Sequence, residues 1–423
     1  MSSASGSEPR GSWREIAAVV LLIAAVTYNL PLALINAHVV GVGRNALIGI
    51  EVVIIGAALL LSALQWRPDM TRWAAMIGTF VLLSALLSLL RQGFDPKSLR
   101  DMLMIATFVM LGMTVREPTA RRLFVGLHFA ILAVMLFEVL LPNVWASLIN
   151  SRGYAIATRG FSADLFYGDL ELFGATRPDE RYFLPALGWN RASSLFLEPL
   201  SLGNYCSFAA LMMMVFWRDW RPAWRGVMLA TWAVILVGSD SRFAGLSSAL
   251  LLIAAPLVVR LPSALALAYL PLAVLFARVG SQAFQWNPLE DNFPGRIARG
   301  MKGLFKLDAY QFAGFSVPTP ALADSGIAYL VMSQSLAGVV IMQLFLWLTV
   351  RPLDDRQRLM LHGTALSFAL SILVSISMMS IKTAAFYWLF LGVMLARPAL
   401  TARPAGIAAG GPPYRPVVLA QPR

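Results

Sequence analysis

Two charged residues stand where a long polar stretch meets an apolar one. The segment from Arg191 to Gly203 reads Arg-Ala-Ser-Ser-Leu-Phe-Leu-Glu-Pro-Leu-Ser-Leu-Gly, and Glu198 leads directly into the apolar run. Ionisable groups at membrane depth are costly, and they usually face a bundle interior or an aqueous cavity where they mark a substrate site. We therefore expect the functional site at this segment.

Two other polar segments supply residues for the same chemistry. Gly238 to Gly245 reads Gly-Ser-Asp-Ser-Arg-Phe-Ala-Gly, with Arg242 at its centre, and Asp324 closes a second long polar stretch. The guanidinium fork matches a pair of phosphate oxygens and stays charged when partly desolvated. Arg191 and Arg242 together thus predict a seat for a diphosphate, and Asp324 is a candidate base that accepts a proton from an attacking hydroxyl.

Each of these residues also has a purely structural interpretation. Asp324 is a preferred residue type for a helix N-cap. Arg242 can pair with Asp240 or extend to the membrane interface. Glu198 can complement the dipole of the following helix, in which proline is favoured at the first position. In a functional site, supporting roles fall to Glu198, Asp240 and Ser241.

Besides Arg191 and Arg242, the long polar stretch that Asp324 closes contains a group of basic residues. Arg296, Arg299, Lys302 and Lys306 recur every three to four residues, which predicts one basic face on a short amphipathic helix. Such a helix can lie on a membrane surface or contact an anionic, lipid-linked substrate. In the second case Arg296 and Arg299 are candidate diphosphate ligands.

The composition identifies the class of protein. Of 423 residues 58% are hydrophobic and only 13% are charged, as in a polytopic all-α membrane protein. The formal net charge of +12 does not indicate nucleic-acid binding, because much of the excess lies in short loops. The single cysteine, Cys206, allows no intramolecular disulfide, and three scattered histidines give a metal site little support. We expect no metal and no cofactor.

Apolar runs long enough to cross a membrane predict about twelve transmembrane helices. They begin near Ile16, Ala46, Trp73, Met102, Leu123, Phe196, Gly226, Phe243, Pro262, Gly326, Leu359 and Thr383. Basic residues fall in alternate short loops, which predicts that these loops and both termini are cytoplasmic. Arg91, Lys97 and Arg100 break the trend, so that either the count of early helices is wrong or these cations attract an anionic head group.

The two long polar stretches then face the opposite side. Loops of this length in a compact bundle are usually functional. The predicted organisation is a cytoplasmic tail (1–14), helices 1–5 (15–141), a large periplasmic loop (142–195), helices 6–9 (196–279), a second periplasmic loop (280–325), helices 10–12 (326–396) and a disordered cytoplasmic tail (397–423).

At these residues the chain resembles the Wzy-type polysaccharide polymerases of the O-antigen ligase superfamily. Arg191 to Gly203 is similar to the Arg-x-x-Ser-x-Phe-x-Glu-Pro-x-x-x-Gly pattern of exopolysaccharide polymerases in that group. Ser239 to Arg242 resembles its Ser-Arg-Gly-type hairpin. Asp324-Ser-Gly-x-x-Tyr with the later Gly338 resembles its Asp-Ser-Gly-Tyr segment. The likeness covers roughly Arg191 to Gly338, and the first five helices match only in hydropathy.

The resemblance implies a GT-C-like membrane bundle in the bacterial inner membrane that acts at the periplasmic face. The implied substrate is an oligosaccharide on undecaprenyl diphosphate, and the implied activity is its polymerisation into exopolysaccharide or O-antigen. Arg191 and Arg242 would hold the diphosphate. The implied partners are this substrate and membrane lipid, and a chain-length-regulating copolymerase is a further candidate.

One departure separates the chain from the ligases of the superfamily. Ligases carry a His-Asn pair where this chain has Asp324-Ser325, so that Asp324 is the remaining candidate base and the chain looks more like a polymerase. Alternatives are ligase-type glycan transfer, a transporter or flippase for lipid-linked oligosaccharide, and a non-catalytic assembly factor. The polar residues gather on the outward side without an internal repeat, which disfavours a transporter.

Overall fold

The computed structural model describes residues 13–162, 172–174, 190–290, 292–317 and 325–396, and within these ranges the regular structure is helical. The helices of the first part are α1 (Trp13–Thr27), α2 (Asn29–His38), α3 (Arg44–Ala63), α4 (Thr71–Arg91), α5 (Pro96–Gly112), α6 (Glu117–Leu140), α7 (Pro142–Ile149) and α8 (Ser151–Arg159).

The remaining helices lie between Pro199 and Leu395. They are α9 (Pro199–Phe216), α10 (Pro222–Ser239), α11 (Arg242–Val258), α12 (Ala266–Ala283), α13 (Phe293–Phe305), α14 (Ala309–Phe312), α15 (Gly326–Gln343), α16 (Asp355–Val374) and α17 (Ile381–Leu395). A π-helical turn, Leu344–Leu348, extends α15.

The chain is a helical membrane protein with several spans. Among the described residues eight helices are long and apolar enough to cross a membrane, and α1 with α2, bent by 54°, forms a ninth candidate. The predicted number of about twelve spans is not confirmed. Each of the twelve predicted apolar segments coincides with a helix, but α5, α11 and α17 have only 17, 17 and 15 residues.

The shortest of these helices, α17, lies at the centre of the bundle and is buried from Ile381 to Met394. It packs most extensively on α5, and the two backbones touch at their final turns. A Cβ on Gly112 would overlap the carbonyl of Leu389, and one on Gly392 would overlap the carbonyl of Val109. Small residues permit this close approach, as is usual between membrane helices.

Alternate helix ends meet on one face of the bundle, here called the terminal face because α1 begins and α17 ends there. Arg67 donates to the Met113 carbonyl and Arg72 to the Thr349 carbonyl, while Arg356 pairs with Asp219. The loops predicted to share the cytoplasmic side therefore do lie together.

The opposite face, here called the loop face, carries the short helices of the two long connections. Here α7 and α8 pack on α2, and α13 packs across α12, α15 and α16. The predicted short basic helix is present as α13, whose buried side is formed by Ile297, Met301 and Leu304. The second long connection is thus partly helical and docked on the bundle.

Candidate functional site

Residues 191–198 are fixed to the bundle by a buried carboxylate on α6. Glu138 accepts hydrogen bonds from the backbone N–H of Ser193 (2.8 Å), the backbone N–H of Ser194 (2.6 Å) and the hydroxyl of Ser193 (2.8 Å). The backbone N–H of Ala192 donates to the Gly238 carbonyl at 2.8 Å. The two serines of the sequence pattern therefore anchor the segment to the loop-face ends of α6 and α10.

The same segment holds two residues in an uncommon backbone conformation. Ser194 and Leu197 have φ of 50° and 55°, in the left-handed region, although neither is glycine. Such residues cost about 1–3 kcal/mol each and persist where the surrounding contacts enforce them, often at functional sites. The turn at Leu197 places Glu198 at the N-cap position of α9.

Glu198 belongs to a group with Arg159 and Lys382, here called the Glu198 cluster. Its Oε2 lies 2.5 Å from Lys382 Nζ and 3.1 Å from Arg159 Nη2, and it accepts a bond from Ser201 Oγ at 3.0 Å. The Lys382 side chain is only 7% exposed. Burial alone would raise the pKa of Glu198, but the charges of Arg159 and Lys382 outweigh it and hold that pKa well below its usual range.

Glu198 does more than complement the dipole of α9, the structural role predicted for it. Its side chain makes no hydrogen bond that caps α9. The carboxylate instead joins the first residues of α9 to α8 and α17, which are distant in the sequence. Glu198 is therefore ionised and holds two cations, which makes it a poor candidate for a base.

The turn between α10 and α11 gathers the other predicted residues, here called the hairpin cluster: Arg191, Asp240, Ser241 and Arg242. Arg191 Nε lies 3.8 Å from Asp240 Oδ2, and Asp240 has a left-handed φ of 44°. Ser241 caps α11 by accepting from the Ala244 N–H at 3.3 Å. Two predicted arginines are therefore brought to one turn.

Arg242 itself is exposed, and within the described ranges it makes no hydrogen bond or ion pair. The alternative that it pairs with Asp240 is wrong, because that carboxylate faces Arg191. The hairpin also meets α9, where a Cβ on Gly203 would overlap the side chain of Ser241. The hairpin cluster and the Glu198 cluster consequently flank the first turns of α9.

The start of α13 lies beside the hairpin, since the rings of Phe293 and Phe243 are 5.9 Å apart. Arg296, one turn further along α13, is partly buried. Arg299 donates from Nε to the Pro288 carbonyl at 3.0 Å, which ties α13 to the preceding loop. Both side chains have interactions within the protein, and their role as diphosphate ligands stays a prediction.

The predicted base, Asp324, lies outside the described residues. The N-cap of α15 is its neighbour Ser325, which accepts from the Ala328 N–H at 3.3 Å and donates to the Gly300 carbonyl at 3.0 Å.

A second buried ionic group, not predicted from the sequence, is here called the Asp101 network. Arg100 bridges Glu51 and Asp101, with 2.6 Å to the latter, and Asp101 also accepts from Tyr329 Oη at 2.8 Å. Tyr28, between α1 and α2, donates to Glu51 at 2.5 Å. The Asp101 network adjoins the Glu198 cluster, because Glu51 interacts electrostatically with Lys382.

The early cations that broke the charge trend have protein partners. Lys97 Nζ lies 3.2 Å from Asp101 Oδ2, and Arg100 is bound as described above. Arg91 donates to the carbonyls of Gly314 (2.5 Å), Met332 (2.7 Å) and Ser333 (3.0 Å). Their position on the loop face is thus explained by contacts inside the bundle.

Two of these carbonyls, those of Met332 and Ser333, lie in the turn before a break in α15 at Ser335, whose φ is 65° and ψ is 163°. Before the break, Tyr329 contacts Asp101 and Gln334 donates to the Ser98 carbonyl, so that this half runs back toward the start of α5. After the break the helix follows α4 toward the terminal face. The guanidinium thus replaces the hydrogen bonds that a continuous helix would make.

The residues that the sequence analysis missed share one signal. Glu51, Glu138 and Lys382 are each a lone charge in an apolar helix. Such charges are expected to face the bundle interior and to pair there. Arg159 has no comparable signal, because it lies in a polar stretch and acquires its role from α9 and α17.

Among the described residues, the two clusters on the loop face hold more cations than carboxylates. The Glu198 cluster and the hairpin cluster each hold two cations against one carboxylate of their own. Such a face is suited to an anion with several oxygens, and it could stabilise negative charge that develops during a reaction. Within the described ranges no group of three or more His, Cys, Asp or Glu side chains could hold a metal ion.

Comparisons of the chain with protein-family models, with curated proteins and with solved structures found no match.

Proposed function

We propose that the chain is a membrane glycosyltransferase that polymerises undecaprenyl-diphosphate-linked oligosaccharide repeat units into a surface polysaccharide. The reaction would take place at the periplasmic face of the bacterial inner membrane, corresponding to the loop face. The observation that carries the proposal is the position of Arg191 and the exposed Arg242 on one turn, beside the start of α9.

In this proposal the lipid diphosphate is the leaving group. Arg191 and Arg242 bind it and stabilise the charge that grows on it as the glycosidic bond breaks. Arg296 and Arg299 of α13 are the candidate further ligands. Asp324 accepts the proton of the acceptor hydroxyl. Ionised Glu198 holds Lys382 and Arg159 in place, and these two cations add to the positive field of the site.

The experiment is a polymerisation assay with purified protein in detergent and an undecaprenyl-diphosphate-linked repeat unit, without nucleotide or added metal. We expect the wild type to produce a ladder of longer glycans. Arg242→Ala should lower its rate by about 10²-fold or more, because one charge-stabilising donor is lost. Arg191→Ala and Asp324→Asn should also lower the rate.

The matched control is Arg122→Ala, an exposed arginine on the terminal face whose side chain contacts the Pro118 carbonyl. It should keep the wild-type rate. A full ladder from well-folded Arg242→Ala protein, or a ladder that requires a nucleotide sugar, would refute the proposal.

One observation favours a transporter or flippase of the same lipid as a second candidate. Two helices are broken, at Tyr28 between α1 and α2 and at Ser335 in α15, and both contact the Asp101 network. Broken helices are common in transporters, although these two do not occupy corresponding positions of two repeats. Flipping of the lipid-linked substrate in proteoliposomes, without a ladder, would favour this candidate.

A further inference from the structure

An apolar cleft separates two consecutive helices on the side of the bundle that leads to the terminal face. Helices α10 and α11 share a short turn and both pack on α9, but they have little contact with each other. The space between them measures 610 Å³. This falls within the range of about 300–1,000 Å³ typical of small-ligand sites.

The cleft is lined mainly by apolar side chains. Ala210 of α9 lies on its floor, Leu229 and Trp232 of α10 form one wall, and Leu252 and Ala255 of α11 form the other. Leu229 is 42% and Leu252 is 50% exposed, so that the walls face the membrane interior. In a membrane protein, such a surface is filled by lipid chains rather than by water.

A proline lies in the last turn of α11, on the cleft. Pro256 lies on the cleft and has no N–H to bond the carbonyl of Leu252, one turn earlier. Proline in a helix interior favours a bend.

The end of the cleft at the terminal face carries several charges, most of them paired. Arg356 binds Asp219 at 2.5 Å, and Asp355 binds Arg358 at 3.5 Å. Arg225 donates to the Trp217 carbonyl at 2.9 Å. Arg218 differs, since it is exposed and has no hydrogen-bond or ion-pair partner within the described ranges.

An apolar slot that ends at an available arginine matches an amphiphile with an anionic head. We propose that the α10–α11 cleft binds one anionic phospholipid of the surrounding leaflet, with an acyl chain between the two helices and the phosphate on Arg218. An arginine fork is well matched to phosphate oxygens, and cations near a membrane surface attract anionic lipids. This inference does not depend on the proposed glycosyltransferase activity.

The test is native mass spectrometry of the full chain in a non-ionic detergent, titrated with phosphatidylglycerol or with phosphatidylcholine of the same acyl chains. We expect one phosphatidylglycerol to be retained in preference to phosphatidylcholine. Arg218→Gln should weaken retention of phosphatidylglycerol about tenfold, as for the loss of one charge-assisted hydrogen bond. Ala255→Trp should fill the cleft and reduce retention of both lipids.

The matched control is Arg44→Gln, an exposed arginine at the loop-face end of α3, which should behave as the wild type. Elution volume and thermal unfolding in detergent identify any variant that fails to fold. If Ala255→Trp does not fold, Arg218→Gln still decides the test, because residue 218 is at an exposed position. Equal retention of the two lipids, unchanged retention by Arg218→Gln, or stronger retention of a polyprenyl phosphate than of phosphatidylglycerol would each overturn the assignment.

Discussion

The two faces of the bundle use similar ion pairs at different depths. On the terminal face Arg356 and Arg116, which bind Asp219 and Glu15, have side chains 26% and 48% exposed. On the loop face Lys382 is 7% exposed in its pair with Glu198. Exposed pairs contribute about 0–1 kcal/mol, whereas removing one partner of a buried pair costs about 3–5 kcal/mol.

This difference indicates what each set of charges is for. The Arg356–Asp219 pair joins the ends of helices where water is close, so that it carries less desolvation cost, although the Glu15 carboxylate of the other pair is only 6% exposed. The loop-face pairs lie among α3, α5, α8, α9 and α17, where apolar side chains would pack at lower cost. Charges retained at such depth are expected to serve a site, which supports placing function at the loop face.

The largest expected effect comes from Lys382→Met. This change leaves Glu198 paired only with Arg159, and we expect a loss of about 3 kcal/mol in the free energy of unfolding, at the lower end of the range for buried pairs. A denaturant titration in detergent micelles measures it. Lys302→Met, at an exposed lysine on α13, is the control and should change stability little. Equal stability of the two variants would show that the depth of the pair has no energetic consequence.

The same pair predicts a pH dependence. The pKa of Glu198 is lower in the folded protein than the ordinary value of 4.5, so that its ionisation stabilises the fold above that pH, and the stabilisation is lost as pH falls toward the folded pKa. The difference in stability between wild type and Glu198→Gln should therefore shrink as the pH falls from about 5 to about 3. Unfolding curves across this range measure the difference. A difference that already shrinks near neutral pH would mean that Arg159 and Lys382 do not hold the carboxylate ionised.

Hydropathy predicts the helices because a membrane helix must be apolar. It detects only the apolar part of each helix and misses a polar first turn. Helix α5 begins at Pro96 after its cap Asp95, ahead of the apolar run predicted from Met102, and α16 begins at Asp355 after its cap Asp354. The polar first turn is fixed by side-chain caps. Predicted starts are therefore late for these helices.

The break in α15 could not be predicted, because serine is no helix breaker and the bonds that stabilise the break come from Arg91, more than 200 residues earlier. The site was predictable to the extent that its residues are close in the sequence. Asp240, Ser241 and Arg242 form one turn, and their neighbour Arg191 ends a polar stretch. The pairing of Glu198 with Lys382, 184 residues away, depends on the packing of α9 with α17 and has no local signal.

The smallest expected effect comes from Arg356→Gln on the terminal face. Its side chain is 26% exposed, and its partner Asp219 keeps a second cation, Arg121, at 3.4 Å. We therefore expect a loss below about 1 kcal/mol, reduced further by added salt, because water and ions screen exposed pairs. The same titration at low and high salt measures this, with Arg122→Gln as the control on the same face. A loss as large as that of Lys382→Met would mean that the depth of an ion pair does not distinguish the two faces, and the loop-face charges would then give no special support for a site.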